Sequence, residues 1–333
     1  MIHIDGFEEF RGEQALSEAL TRSDYTVTGT DWTLIAGRGT TFGAAAVAAG
    51  SAKLTRVMPW TTPKFTVGIA HYFNSRGAVA TVKLGANSYT LWMNPQTGLP
   101  YVNGIAGGAL PTITRWYYYE LEVDRAAGTM TLYINNKFDS VYALEGSLAA
   151  ITAATVTLGW RDPSEYRPQL PGGGYPTDTG VKAYDDFYMR DGARLGPIMV
   201  TTRTPSNDKH VEWFQAATSG SHSFSLSLQP PQPLDNYVAS DTIGKEERFQ
   251  SGTPLANANP VVASGLLVMA RKAPTLSAKL GVFIGGQAGA PLRQDTRIVG
   301  SEWRTQYVCF EQVEGDTVAG VTTADFGFNV SSN

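Results

Sequence analysis

The sequence predicts an all-β protein built from two β-sandwich domains. Segments of strand length, in which apolar residues alternate with polar ones or run together, follow one another between clusters of Gly, Pro, Asn and Asp. The 35 glycines and 18 prolines among 333 residues are typical of a chain with many turns. Only EQALSEAL (13–20) has the composition of a helix, and about two turns allow no more than a surface helix.

The first domain is predicted from ten strand-like segments. Their regular spacing and the turn residues between them favour a sandwich or jelly roll over βαβ units. The segments are Tyr25–Thr28, Trp32–Ile35, Lys53–Met58, Phe65–Tyr72, Ala78–Leu84, Ser88–Met93, Trp116–Asp124, Thr129–Asn135, Thr155–Trp160 and Ala183–Arg190.

The second domain is predicted to follow the Gly- and Pro-containing segment RDGARLGP (190–197). We expect a first domain at 1–192, a linker at 193–196 and a second, smaller β-sandwich at 197–333. Six later segments have strand length or strand alternation. They are IMVTTRT (198–204), HVEWFQA (210–216), HSFSLSL (222–228), GLLVMARKA (265–273), AKLGVFIGG (278–286) and QYVCFEQV (306–313).

Composition argues against several classes of protein. The hydrophobic content of 42% is that of a core-forming chain, and the net charge of −4 argues against a nucleic-acid partner. The apolar stretch at 43–52 is far too short for a membrane span, and the N-terminus lacks a signal-peptide pattern. The single cysteine, Cys309, lies in a strand pattern and is expected to be a buried, unreactive thiol.

The stretch YYYELEVDRAAGTMTLYINNK (117–137) predicts a β-hairpin with two different faces. One face carries apolar side chains, which we expect to point into the core: Tyr117, Tyr119, Leu121 and Val123 on the first strand, and Met130, Leu132 and Ile134 on the second. The other face of the first strand carries a row of acids, Glu120, Glu122 and Asp124.

This hairpin resembles the central hairpin of laminin-G-like, concanavalin-type jelly rolls. The residues that carry the resemblance are Trp116, Asp124, Leu132, Tyr133 and Asn135. The resemblance covers about residues 1–191. It implies that FEEF (7–10) and KAYDDFYMRD (182–191) are the first and last strands, lying side by side, and that 37–59 is an early strand pair.

The layout of the whole chain also resembles virion proteins of tailed bacteriophages. The phrases concerned are VKAYDDFYMRDG, VEWFQA and LDNYVASDTIGKEERFQ. The resemblance implies a structural component of the virion, in the tail or on the particle surface. We expect it to be non-enzymatic, to contact other virion proteins and to form a homo-oligomer, with a trimer preferred because symmetric assembly suits either location. A place in the tail (tip, fibre or baseplate region) is expected, with contact to a host-surface glycan as a further role. The alternative is a capsid decoration protein. No cofactor, nucleic acid or membrane insertion is implied.

The acid row is the main candidate for catalysis. Carboxylates two residues apart on a strand lie ~6–7 Å apart, near the separation of about 5–5.5 Å in retaining glycosidases. In the jelly-roll glycosidases that the row resembles, however, an Asp lies between two Glu residues. We expect Glu120, Glu122 and Asp124 to lie on a solvated outer face, without a catalytic role. A weak polysaccharide depolymerase remains the alternative.

Metal sites and other catalytic motifs are not predicted. Asp185 and Asp186 are adjacent in a strand, so their side chains should point to opposite faces and not share an ion. The four histidines, His3, His71, His210 and His222, do not have the spacing of a zinc site. No GxSxG, Walker A or dinucleotide-binding motif occurs.

The loop RDPSEYRPQLPGGGYPTDTG (161–180) is the candidate binding segment, because long loops on a rigid sandwich commonly carry binding residues. Its Arg161, Tyr166, Arg167 and Tyr175 suit a subunit contact or stacking on a sugar. A plain solvent loop is the third interpretation. A carbohydrate-binding module without a structural role is the alternative function that the glycan contact would support.

Overall fold

The computed structural model describes residues 1–7, 10, 16–38, 43–47, 52–74, 77–94, 97–109, 111–159, 180–216, 220–227, 237–251, 260–275, 277–285, 293–311, 321 and 323–332. The chain divides into two compact units. The first comprises Met1–Arg11 and Ala15–Thr201, and the second comprises Gly12–Gln14 and Thr202–Asn333. Strands dominate both units, so the all-β prediction is confirmed.

The first unit contains fifteen strands and one helix within the described residues. The elements are β1 (Ile2–Asp5), α1 (Leu16–Arg22), β2 (Thr26–Thr28), β3 (Trp32–Ile35), β4 (Ala44–Val47), β5 (Lys53–Pro59), β6 (Lys64–Phe73), β7 (Ala78–Leu84), β8 (Asn87–Met93), β9 (Pro100–Val102), β10 (Ile105–Ala106), β11 (Trp116–Asp124), β12 (Thr129–Ile134), β13 (Lys137–Ala143), β14 (Ala153–Gly159) and β15 (Lys182–Arg190).

Two antiparallel sheets form the sandwich of the first unit. The first sheet has the order β13-β12-β11-β6-β15-β4-β3, with β1 also paired to β15. The second sheet has the order β10-β9-β8-β7-β14-β5-β2. The chain crosses between the sheets several times, for example from β5 to β6 and from β6 to β7, whereas β7 to β10 and β11 to β13 follow one another within a sheet. The predicted adjacency of the first and last strands is confirmed by the β1–β15 pairing.

One continuous core lies between the two sheets. The strand alternation predicted for the hairpin is confirmed, because Tyr119, Leu121 and Val123 are all buried in this core. The second sheet contributes side chains such as Val82 and Val156 to the same cluster. Burial of this apolar surface is the main driving force for folding of the unit.

Two details of the early strands were predicted wrongly. FEEF is not the first strand: β1 ends at Asp5, whose Oδ1 accepts a hydrogen bond of 2.7 Å from the Phe7 backbone N–H. Phe7 has φ of 58°, so the chain turns there. The expected strand pair at 37–59 does contain β4 and β5, but they belong to different sheets, β4 pairing with β3 and β15 and β5 with β14 and β2.

The second unit contains nine strands and one helix within the described residues. These are β16 (Pro205–Val211), β17 (Phe214–Gln215), α2 (His222–Ser227), β18 (Val238–Ala239), β19 (Glu246–Ser251), β20 (Ala263–Ala270), β21 (Lys279–Ile284), β22 (Arg293–Arg297), β23 (Arg304–Glu311) and β24 (Asp325–Ser331).

A five-stranded sheet with the order β16-β19-β24-β21-β22 is the centre of the second unit, beside the pairs β17–β18 and β20–β23. Its core includes Phe249, Val282 and Val308. The strand predicted at HSFSLSL is wrong, because His222–Ser227 is the helix α2. The Asp208 carboxylate accepts the backbone N–H groups of His222 and Ser223, which satisfies donors at the start of this helix.

His71 of β6 is an ionisable side chain in the sandwich core. Its ring packs against Phe73, Tyr119 and Tyr184, and within the described part of the chain neither ring nitrogen has a hydrogen-bond partner. Burial, reinforced by the charge of Lys182, lowers the pKa of His71 well below 6.5. The native state therefore holds this histidine neutral, whereas the unfolded chain takes up a proton below pH 6.5.

We predict that His71→Phe removes one acid-sensitive contribution to stability. Below pH 6.5 the unfolded wild type binds a proton that the native state does not, so its stability falls by up to about 1.4 kcal/mol per pH unit. Thermal unfolding of the full chain between pH 5 and pH 8 measures this slope. The variant should show a smaller loss on the acid side, and His210→Gln, at a less buried position, is the control. Equal slopes for wild type and His71→Phe would contradict the account.

Candidate functional site

The acid row of β11 lies on the face of the first sheet that points away from the core, but the predicted solvent exposure is wrong. Glu120 is 1% exposed and Glu122 is 8% exposed. Residues 192–200, which we call the strap, run over this face after β15 ends. The strap supplies hydrogen-bond donors to both carboxylates. The wet face expected for an outer strand is therefore covered by a later part of the chain.

Glu120 is the most heavily bonded of these acids. Its Oε1 accepts the Tyr188 hydroxyl at 2.6 Å and the Gly196 backbone N–H at 2.8 Å. Its Oε2 lies 2.7 Å from Nη1 of Arg194. The Tyr188 hydroxyl also accepts the Leu195 backbone N–H at 3.1 Å. One carboxylate thus joins β11, β15 and the strap.

Gly68 of β6 makes room for this arrangement. It lies opposite Glu120 in the β11–β6 pairing and opposite Tyr188 in the β15–β6 pairing. A Cβ at this position would lie 2.0 Å from Cε1 of the Tyr188 ring. Glycine is therefore needed here for close packing, because any side chain would displace the tyrosine that donates to Glu120.

Glu122 and Asp124 have different roles from Glu120. Glu122 Oε1 accepts a hydrogen bond of 2.7 Å from Nζ of Lys64, and its Oε2 accepts the Arg194 backbone N–H at 2.9 Å. The hydrogen bond to Glu122 raises the pKa of Lys64. Asp124 is half-buried, and its Oδ1 accepts the backbone N–H groups of Ala126 and Ala127 in the hairpin turn. It therefore stabilises the turn rather than the strap.

Asp185 and Asp186 do not point to opposite faces as predicted. The core-facing residues Tyr184 and Phe187 are separated by both aspartates because β15 has a bulge there, with Asp186 at φ of 47°. Both carboxylates consequently reach Arg38. Asp185 Oδ2 accepts the Arg38 backbone N–H at 2.6 Å, and Asp186 Oδ2 accepts Nε at 2.8 Å.

Asp186 also holds the far end of the strap. Its Oδ1 accepts the Val200 backbone N–H at 2.6 Å, and the Arg38 guanidinium donates a second bond to the Ile198 carbonyl. Burial raises the pKa of Asp186, although the Val200 N–H and Arg38 oppose this shift. We call Glu120, Glu122 and Asp186 the carboxylate clamp, because together they fix both ends of the strap.

Aromatic side chains line the same face. The Arg194 guanidinium carbon lies 4.0 Å from the centre of the Tyr133 ring, and that of Arg38 lies 5.0 Å from the Tyr118 ring. Burial raises the pKa of Tyr118 and Tyr188 well above 10.0, so both hydroxyls remain protonated donors at neutral pH. This face consists of carboxylates, guanidinium groups and tyrosines in mutual contact.

The sequence did not reveal the strap, its Arg194, or Arg38, which contacts the clamp from an earlier part of the chain. The glycines and proline of RDGARLGP indicate a linker, and Arg38 lies in a glycine-rich stretch. The only local indication of a contact is that each of these segments contains an arginine. Nothing in the spacing connects Arg194 to Glu120, which lies more than 70 positions earlier.

The other sequence candidates are placed as follows. Arg161, Tyr166, Arg167 and Tyr175 lie outside the described residues. Cys309 is half-buried in β23, and burial raises the pKa of its thiol to about 11, so it is protonated at neutral pH.

Across the described ranges, no group of three or more His, Cys, Asp or Glu side chains is arranged to hold a metal ion. No described helix is long and apolar enough to cross a membrane.

A buried polar cluster of the second unit was also missed. Glu247 is fully buried, and its Oε1 accepts the backbone N–H groups of Glu212 and Trp213. Its Oε2 lies 2.9 Å from Nδ1 of His222. These bonds connect α2 and the end of β16 to β19, so the cluster satisfies buried groups within the unit.

No protein-family model and no curated protein matches the chain. Solved structures with similarity include a sialidase at 12% identity, covering 57% of this chain and 18% of that chain with a TM-score of 0.40. An alginate lyase mutant in complex with alginate trisaccharide is 10% identical, and the similarity covers 56% of this chain and 97% of that chain with a TM-score of 0.39. A heptameric SAP-like pentraxin from Limulus polyphemus is 16% identical, and the similarity covers 45% of this chain and 76% of that chain with a TM-score of 0.33. At this level of similarity, the ligands and activities in these names belong to those proteins alone.

We predict that Glu120→Gln destabilises the first unit by about 1–3 kcal/mol, because Arg194 and two further donors lose an ionised acceptor in a buried site. Arg194 is 26% exposed, so water recovers part of the loss. The matched control is Glu145→Gln at an exposed position, where the change should stay within about 0.5 kcal/mol. Chemical denaturation of both full-length variants measures the difference, and equal stabilities would show that the clamp does not hold the strap.

Proposed function

We propose that the protein is a non-enzymatic structural component of a bacteriophage virion that acts through protein–protein assembly. A place in the tail is our preferred assignment, and a capsid decoration protein is the alternative within the same class. The sequence likeness to virion proteins, which extends over both units, supports the assignment. Both locations require a rigid β module with an interface, so the same geometry serves either.

The hydrogen bonds of Glu120 and Glu122 are the main support for a non-enzymatic role. Glycoside hydrolysis requires one carboxylic acid that gives up a proton and a second, ionised carboxylate beside an accessible sugar. In this chain all four carboxylate oxygens of Glu120 and Glu122 accept hydrogen bonds from the sheet and the strap. These acids fix the segment that leads from the first unit towards the second, which is a structural task.

The edge of the first sheet offers a surface for assembly. β13 pairs with β12 alone among the described strands, so within the described residues it is an edge strand of the first sheet. Phe138 and Val141 on this strand are 63% and 49% exposed. Large apolar side chains next to an open sheet edge are a typical contact for a neighbouring subunit. We assign the homo-oligomeric contact, with a trimer preferred, to this edge.

A carbohydrate-binding module is the second candidate, and one feature of the second sheet favours it. Threonines lie directly opposite one another across five adjacent strands, on the face away from the core: Thr26, Thr55, Thr157, Thr81 and Thr90. Two neighbouring pairs of hydroxyls are 3.1 and 2.9 Å apart. Thr90 is buried, and the four accessible members of the row, Thr26, Thr55, Thr157 and Thr81, offer donors and acceptors at regular spacing, which suits sugar hydroxyl groups.

We predict that the protein self-associates and that the β13 edge is needed for this. Phe138→Asp with Val141→Asp should reduce the native mass to that of one chain, since buried charges at the contact have no partner. The matched control is Val57→Asp, which charges a 62% exposed position on the second sheet and should leave the mass unchanged. A wild type that is strictly monomeric and does not bind particles lacking it would contradict the assembly proposal.

For the second candidate, we predict binding to host-surface glycans that depends on the threonine row or on the 161–180 loop. A glycan array with wild type, Thr81→Val with Thr157→Val, and Tyr166→Ala with Tyr175→Ala distinguishes the two surfaces. Absence of binding by wild type across the array rejects this candidate. A sugar-release assay on the same polysaccharides separates binding from cleavage. Release that Glu120→Gln abolishes in a folded variant would support the depolymerase instead.

A further inference from the structure

The contacts of Arg194 combine a carboxylate and an aromatic ring around one guanidinium group. Its Nη1 pairs with Glu120 at 2.7 Å, and its guanidinium lies 4.0 Å from the centre of the Tyr133 ring. The adjacent backbone N–H donates to Glu122. A carboxylate combined with an aromatic face is the usual environment for arginine recognition, and a second carboxylate fixes the backbone that carries it.

The strap that carries Arg194 has many polar contacts and little fully buried apolar surface. Ile198 is its one buried apolar side chain, Leu195 and Val200 are half-buried, and Ala193, Pro197 and Met199 are exposed. No residue of the strap belongs to a strand of the first sheet. Segments with few buried apolar contacts and no ladder hydrogen bonds open at a lower free-energy cost than the sheets beneath them.

Charge favours a cationic occupant if the strap lifts. Without Arg194, the three carboxylates of the clamp would face only two of the cations that now contact them, Lys64 and Arg38. The resulting negative charge and the free Tyr133 face would attract a guanidinium from another chain.

We propose that this face of the first sheet is a recognition surface for an arginine-bearing segment of a partner virion protein, and that Arg194 occupies it while no partner is bound. The inference rests on the proposed assembly function. The partner's arginine would displace Arg194, so docking and release of the strap would be coupled. The strap then acts as an intramolecular competitor, which is displaced only by a segment that also presents an arginine.

The test uses the full chain and a synthetic peptide with the sequence of residues 191–200, DGARLGPIMV. The Arg194→Ala variant lacks the arginine that occupies the surface. The peptide should therefore bind this variant at least tenfold more tightly than it binds wild type. In wild type the tethered strap competes at an effective concentration of about millimolar or higher. A peptide with alanine in place of arginine should not bind, and Glu120→Gln combined with Arg194→Ala should lose at least tenfold in affinity.

Fluorescence anisotropy of the labelled peptide measures these affinities, with circular dichroism as the check on folding. If Arg194→Ala does not fold, Arg194→Lys replaces it, because lysine keeps the charge but lacks the planar group that stacks on Tyr133. Absence of peptide binding to the folded variant, equal binding to wild type, or binding that survives Glu120→Gln would each overturn the inference. The native mass of the same samples distinguishes the two proposals. If the protein is an oligomer but does not bind the peptide, only the recognition surface is rejected. If the protein is a monomer and also fails to bind particles that lack it, the assembly proposal is rejected.

Discussion

The ion pair between Glu120 and Arg194 is the interaction on which the arrangement of the first unit's outer face depends. Glu120 is held in the middle of a sheet, where an unpaired carboxylate would be strongly destabilising. Its charge is balanced by Arg194, and its remaining lone pairs accept bonds from Tyr188 and the Gly196 backbone. The strap can therefore lie on the sheet only in the position that supplies these donors.

This constraint explains several other features of the unit. Gly68 leaves space for Tyr188, which orients Glu120. The bulge in β15 turns Asp186 outward, where it holds Val200 and Arg38 at the far end of the strap. The strap is thus fixed by charge-assisted hydrogen bonds, with Ile198 as its one fully buried apolar side chain. A clamp of this kind is specific in position and open to competition by similar groups.

Local patterns in the sequence predicted the fold well because strand alternation is set by neighbouring residues. The inward faces of β11 and β12 follow directly from a period of two. β13 was missed, although Asn135 and Asn136 both have positive φ and form the tight turn that precedes it. The burial of Glu120 could not be predicted in this way, because the covering residues lie more than 70 positions away. The outward turn of both Asp185 and Asp186 depends on a bulge, which alternation alone does not reveal.

A double-mutant cycle between Glu120→Gln and Arg194→Met tests the structural role of the acid row most directly. The unfolding free energies of wild type, both single variants and the double variant give the coupling energy of the pair without the separate effects of each change. If the pair holds the strap on the sheet, the coupling should be about 1 kcal/mol or more. Additive effects, within about 0.5 kcal/mol, would show that the two side chains act independently and would contradict the account.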